Sequence, residues 1–293
     1  PVNLDHLTRL LRVNAHHESA VFCKRNTMVA FEPNPVFDRP TMKALAFDYI
    51  HTGMGYVRWI KNRAGFIVRA EHLHSRVMRR HKNLEQYLQL TPDGRTILFE
   101  KGEVAAISNY GPESSVYGLP DYLGALNSLL LNEEATLFRR KYYVNGAHMG
   151  FILYTDAEDL DQADINTLKA KVAASKGIGN FQSLFVNLRQ KDAKLELKPV
   201  GDFAKDDFEK IKMVSRDDII SAHRVPPQIL AVLTDNKYPV TGDLDKIVAM
   251  YNATVVKPLQ EDVADAINKF LPPGQQIVFK PFTVPTTAAP PEG

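Results

Sequence analysis

The chain has a single cysteine, Cys23. That excludes an internal disulfide, a cysteine zinc cage and a Cys-x-x-Cys redox pair, and it fits a reducing cytoplasm. Long apolar runs are missing too: no stretch approaches the ~18 apolar residues that span a bilayer, so no membrane partner is expected. No basic-then-apolar leader follows Pro1, and the missing initiator Met predicts processing or trimming. Net charge is also scarce. With 36 Lys and Arg against 34 Asp and Glu, the balance is +2, too weak for a protein that grips nucleic acid by neutralising many phosphates.

Catalytic signatures are absent as well. There is no Gly-x-x-x-x-Gly-Lys-Ser/Thr loop to surround phosphates with backbone N–H groups, a lysine and a hydroxyl, and Gly177-Ile-Gly179 lacks the third glycine of a dinucleotide turn. Gly-x-Ser-x-Gly and His-Glu-x-x-His are missing. His72 and His74 share a strand face, but no Asp or His at a matching spacing completes a metal site. Asp206 and Asp207, like Asp217 and Asp218, stand about 100° apart on a helix, so neither pair converges on one substrate. His223, beside Arg224 at a helix end, reads as a capping or packing residue where a cation is favourable. No catalytic residue, metal or cofactor is expected, and the chain does not read as an enzyme.

What is present is an ordinary soluble composition, 44% hydrophobic and 24% charged, in 293 residues, enough for one large domain or two smaller ones. Charge is uneven. Lys61 to Lys82 holds seven basic residues against Glu71 alone, while Asp156, Glu158, Asp159, Asp161 and Asp164 form an acidic run without a base. These are either two solvated faces or patches that meet between subunits.

Helical spacing over Asn3 to Val29 is followed by a connector broken by Pro33, Pro35 and Pro40, then by a helix from Thr41 to about Ile50 closed at Gly53. Strands are predicted at Tyr56–Ile60 and Phe66–Val68 around the turn Asn62 to Gly65, at Tyr87–Leu90 and Ile97–Phe99 around Pro92-Asp93-Gly94, and at Val104–Ser108. The first 115 residues or so therefore form an α+β unit. A long helix follows from Asp121 to Asn145, with Leu123, Leu126, Leu130 and Leu137 on one side, and acids before bases in the order that suits its dipole. An insert reads as a strand at Phe151–Thr155, a helix at about Asp161–Ser175, and strands at Leu184–Leu188 and Leu195–Lys198. A second long helix runs from about Asp202 to Arg224, with Phe208, Ile211 and Ile219 as its apolar stripe, and stops at Pro226-Pro227. After a loop with Asn236, Pro239 and Gly242 comes a helix from Leu244 to about Phe270 that Pro258 must kink or divide. Ile277–Phe282 is a candidate strand of the first unit, and the Pro, Thr and Ala tail from Val284 is expected to be disordered.

With that arrangement in view, Tyr117-Gly118-Leu119-Pro120, Leu131 to Tyr143, Asn145-Gly146-Ala147-His148, Val214 to Asp218, Ala222 to Gln228 and Pro258-Leu259-Gln260 together resemble the portal proteins of tailed bacteriophages. The likeness is to the PBSX-like branch of contractile-tailed temperate phages. It spans about Ala20 to Phe282 and implies a portal fold: an α/β wing in residues 1–120, a stem helix in 121–150, a small α/β clip in 151–201 and a second stem helix in 202–227. A tunnel loop in 228–243, a long kinked helix in 244–271, a return strand to the wing in 272–284 and a disordered tail in 285–293 complete it.

The resemblance also implies a homo-oligomeric ring, conventionally a dodecamer, at one capsid vertex, through which double-stranded DNA is packaged and ejected without sequence specificity. Implied partners are the terminase large subunit, the major capsid and scaffold proteins and the head-completion proteins. Within it Asn236, Lys237 and Tyr238 are candidates for the channel, and Arg139, Arg140, Arg216, Asp217, Asp218 and Arg224 for contacts between stems. Pro226 and Pro227 form the stop that redirects the chain, and the acidic run is the clip's partner surface. Lys237-Tyr238-Pro239-Val240 departs from the glycine-rich tunnel loop of close relatives and predicts a stiffer loop. Little or no crown is expected after Phe282. A structural ring or scaffold without DNA passage is the alternative.

Overall fold

The structure, a computed structural model, describes residues 3–144, 151–155, 166, 195–199, 205–230 and 244–283. The chain divides into two units, Pro1–Leu129 with Arg216–Gly293, and Leu130–Ser215.

The first unit begins with helices α1 (Leu4–Val13) and α2 (Ala15–Met28), which share a junction residue. Asn14 ends α1 in an extended conformation, and its side chain accepts from the backbone N–H groups of His16 and His17, so one residue stops a helix and caps the next. Helix α3 (Arg39–Thr52) starts where Asp38 accepts from the Thr41 N–H at 2.7 Å. It ends at Gly53 with φ 74°. That glycine is required twice over, by the left-handed turn and by crowding, since a Cβ there would lie 2.3 Å from the Leu119 carbonyl carbon. Gly118 is equally tight against the Gly53 carbonyl oxygen. The Tyr117-Gly118-Leu119-Pro120 motif thus lets one backbone rest on the end of α3.

Strands β1 (Met54–Lys61), β2 (Ile67–Leu73), β3 (Met78–Arg80), β4 (Tyr87–Leu90), β5 (Thr96–Phe99) and β6 (Val104–Ser108) form two antiparallel sheets, ordered β2-β1-β6 and β3-β4-β5. Both predicted turns are in place, with Gly65 and Gly94 at φ 84° and 82°. The period of two along β1 separates two cores. Val57 and Trp59 pack with Leu45, Tyr49 and Ile107 in the main cluster, while Met54 and Tyr56 join Leu73, Met78 and Phe99.

Helix α4 (Leu126–Val144) is preceded by a 3-10 stretch, Asp121–Ala125, so the expected continuous helix from Asp121 begins one turn late. Among its described side chains, the buried ones are Leu129, Asn132 and Ala135, with Tyr122 and Ala125 just before it. The predicted leucine stripe is not the buried one: Leu126, Leu130 and Leu137 are exposed and Leu123 is half-buried. In the second unit β7 (Phe151–Thr155) pairs antiparallel with β8 (Leu195–Pro199). The expected insert helix and the strand Leu184–Leu188 lie outside the described residues, as do the loop at 231–243 and the tail at 284–293.

Helix α5 (Lys205–His223) ends one residue before Arg224, which takes φ 55° and donates its N–H to the Ser221 carbonyl at 2.9 Å. Its buried row is Ser215, Ile219 and His223, whereas Ile211 is exposed, contrary to the expected stripe. Helix α6 (Leu244–Tyr251) passes into a π-helical segment, Asn252–Val256, and then α7 (Lys257–Asn268). Pro258 has no N–H and crowds the carbonyl one turn back; the chain widens to i→i−5 bonding just before it, with the Lys257 N–H on the Asn252 carbonyl. Ile277–Phe282 does not join a sheet. It runs beside the first connector through the isolated bridge Phe31–Phe279, with Glu32 N–H on Val278 O and Lys280 N–H on Ala30 O.

Candidate functional site

The stop of α5 is built into the main core. Val225 is buried there, and the Pro226 carbonyl accepts from Ile229 N–H at 3.0 Å and Leu230 N–H at 3.3 Å, which turns the chain at once. Pro226 and Pro227 are half-buried and line a cavity of about 360 Å³ with Asp217, Met250 and neighbours.

Above the stop lies a cluster that sequence reasoning missed. His223 Nε2 is 2.8 Å from His17 Nδ1, and the Tyr122 ring packs against both histidines. The Tyr122 hydroxyl donates to the His51 carbonyl at 2.7 Å. His17, His51 and His223 are all buried, and each keeps one ring nitrogen without a partner. Burial holds His17 down to about 3, with His51 adding repulsion, and holds His51 down to about 4. His223 lies well below its ordinary value for the same reason, with Lys24 next in effect. The expectation of a favourable cation at this helix end is therefore overturned: desolvation outweighs the helix dipole, and His223 is a neutral packing group. Lys24, also buried, is pushed down to about 8 by desolvation and lines a cavity of about 310 Å³ with Asp121, Arg224 and Asp262. No local motif could have shown this, because His17 and His223 are brought together across almost the whole chain.

The predicted stem residues divide. Arg216 is largely buried and pairs with its own neighbour Asp217 at 2.9 Å. Asp218 accepts from Ser128 Oγ at 3.0 Å and ties α5 to the start of α4. Arg139, Arg140 and Arg224 are exposed. Within the second unit, Asn132 Nδ2 donates to Ser215 Oγ at 2.8 Å and to the Lys212 carbonyl at 3.2 Å, and Ser215 Oγ donates to the Ile211 carbonyl. A buried polar pair on two helices fixes their register, because neither group has water to fall back on.

Beside this satisfied face the same helices leave apolar groups open. Leu126, Leu130 and Leu137 are 37%, 46% and 39% exposed on α4, and Ile211 and Val214 are 37% and 63% exposed on α5. The three leucines fall within about 40° of one another around the helix. They share one face of the helix, with Glu133 between Leu130 and Leu137.

In the basic stretch, the Arg80 guanidinium donates to the Leu84 carbonyl at 2.6 and 3.0 Å and Arg79 to Met78 and Arg76 carbonyls at 2.7 and 2.8 Å. Lys61, Arg63, Arg69 and Lys82 remain exposed. His72 and His74 have a third companion after all: Asp48 of α3 brings its carboxylate to 3.0 Å from His72 Nε2, and the donor atoms of all three residues lie within 4.8 Å of one another. The expectation that no Asp completes the set is corrected by tertiary contact, since Asp48 stands 24 positions before His72. Asn236, Lys237 and Tyr238, and Asp156, Glu158, Asp159, Asp161 and Asp164, lie outside the described residues. No described helix is long and apolar enough to cross a membrane.

Comparison with known proteins supplies the remaining finding. The family model described as phage portal protein matches residues 6–283. A probable portal protein of Escherichia phage P2 is 33% identical over 98% of this chain and 83% of its own length. One of Haemophilus phage HP1 is 36% identical over 92% of this chain and 80% of its own. Among solved structures, an HK97 family phage portal protein from Corynebacterium diphtheriae superposes with a TM-score of 0.70 at 14% identity, covering 95% of this chain and 97% of that one. A chain from the neck of the native gene transfer agent particle, computed with C12 symmetry, gives 0.66 at 19% identity, covering 94% and 83%. These relatives do not distinguish the PBSX-like branch.

Proposed function

The chain belongs to the phage portal protein family, and we propose that it acts there as one subunit of a twelve-membered ring at a capsid vertex, through which double-stranded DNA is packaged and ejected. The observation that carries the ring is the leucine row of α4 together with Ile211 and Val214 of α5. A helix that has already buried one face and still presents several exposed leucines on another is suited to a second partner, and identical neighbours around an axis supply one without any new sequence. The C12 symmetry of the gene transfer agent neck supports twelve copies.

In this reading Arg139, Arg140, Asp218 and Arg224 are the stem charges placed to meet a neighbour, while Arg216 and Asp217 serve the subunit itself. Asn236, Lys237 and Tyr238 contact DNA transiently in the channel. The small net charge of +2 suits sliding, because every firm phosphate contact adds counterion release and holds the strand. The acidic run from Asp156 to Asp164 meets the terminase large subunit and later the head-completion proteins. The exposed cations Lys61, Arg63, Arg69 and Lys82 face capsid or scaffold. No reaction is catalysed.

Native mass spectrometry with electron microscopy tests the ring. Rings with an open centre are expected, and a monomer at every concentration would sink the proposal; a closed centre would favour a scaffold. Packaged DNA length unchanged by Lys237→Ala would remove that residue from the channel.

A further inference from the structure

We propose that Asp48, His72 and His74 bind one first-row divalent cation of the kind that favours imidazole, with zinc as the probe. Two imidazoles and one carboxylate select zinc, cobalt or nickel over magnesium or calcium, whose preferred ligands are all oxygen. The spacing is already close to what such an ion needs. Two ligands of a tetrahedral centre with bonds near 2.0–2.1 Å stand about 3.3 Å apart, and His72 Nε2 and Asp48 Oδ2 are 3.0 Å apart. His74 Nδ1 or Nε2 lies within 4.8 Å of both. Its ring meets the His72 ring edge to face at 4.9 Å between centroids and is exposed, so a side-chain rotation closes the set without moving backbone.

The surroundings hold the first two ligands in place. Asp48 is buried near the end of α3, and its Oδ2 also accepts the Ser75 N–H at 2.8 Å. The Thr52 hydroxyl, which donates to Ser75 Oγ at 3.1 Å, fixes that turn to the same helix. A carboxylate oriented by a backbone N–H is the outer support that metal ligands characteristically have. Three protein ligands leave a position open, and a cavity of about 350 Å³ lies beside Asp48 and His74, lined also by Arg12 and Arg76. The ion would carry net positive charge past one carboxylate, so water or a small anion from that cavity would complete the coordination. Bound metal would fasten the end of α3 to the turn that follows β2. The plain alternative is a His72–Asp48 ion pair with His74 as a bystander.

The experiment uses the assembled protein, stripped with chelator and dialysed, then titrated with zinc by calorimetry and with cobalt by visible absorption. One zinc per chain at micromolar concentration and the intense visible bands of tetrahedral cobalt are expected. His74→Ala is expected to weaken binding tenfold or more. That residue is exposed and outside the ion pair, so the variant should melt with the wild type in chelator, while zinc raises the melting temperature of the wild type only. Binding unchanged in both His74→Ala and Asp48→Asn would place the ion on other histidines and overturn the proposal, as would no saturable uptake at micromolar zinc. Should Asp48→Asn fail to fold, equal affinity in His74→Ala alone overturns it.

Discussion

Helix α5 shows two ways of using an apolar residue. Towards its C-terminus, Ile219 and His223 have no exposed surface, and the chain around them closes with Val225 in the core. Earlier in the same helix, Ile211 and Val214 stand open, as do Leu126, Leu130 and Leu137 on α4. The closed part completes its packing within one chain. The open part is apolar in composition and exposed in one subunit, and in the proposed ring it is where another copy packs. On that proposal, stability of the subunit and assembly of the ring rest on different residues of the same two helices.

The sharpest way to break that division is to place charge on the open row. Leu130→Glu with Leu137→Glu is expected to abolish rings, leaving monomers by native mass spectrometry with a melting temperature close to that of an unassembled wild-type subunit. A large loss of subunit stability would instead show that the row belongs to the chain's own core. Next comes the closed part. Ile219→Ala should cost about 2–5 kcal/mol in denaturant unfolding, from lost burial plus the cavity left behind; rings lost without such destabilisation would move Ile219 to the interface.

Acid should act on the closed part as well. His17 and His51 are held down to about 3 and about 4 when folded but return to the ordinary range near 6.5 when unfolded. The unfolded chain thus binds more protons in this window, so the stability these groups allow is complete above about pH 6.5 and is lost as pH falls towards 4. At about pH 5 the loss is on the order of 1–2 kcal/mol per histidine. His51→Gln should lower the slope of stability against pH by about one proton, and an unchanged slope would show that His51 does not titrate in this way. The smallest expected effect is on helix register. Asn132→Ala leaves Ser215 Oγ without its inter-helix donor and should cost about 1–3 kcal/mol, read by chemical unfolding; a null result would mean that Ser215 is satisfied by its bond to the Ile211 carbonyl alone.

Much of the fold was legible locally. Asn62 to Gly65 and Pro92-Asp93-Gly94 turn where expected because their conformations depend on two or three adjacent residues, and Gly53 ends α3 because only its φ suits that cap. Pro226-Pro227 predicted the end of α5 to within a residue. The phase of the long helices was not legible. Leucine spacing on α4 is regular, but periodicity reports an apolar face without saying whether the chain or a neighbour covers it. The buried row contains Asn132 instead, a polar residue that is satisfied there by the facing Ser215 hydroxyl and Lys212 carbonyl. Likewise Pro258 announced a disturbance, but not its form, a five-residue π-helical segment just before it.

From sequence alone came the family resemblance, the order of the elements and their punctuation, because caps, turns and proline stops are settled within a few bonds. Tertiary structure alone decided that His17, His51 and His223 share one buried cluster and that Asp48 stands with His72 and His74. Those groupings depend on which segments distant along the chain are packed together, and a side chain's protonation and partners follow from that enclosure, which no local spacing encodes.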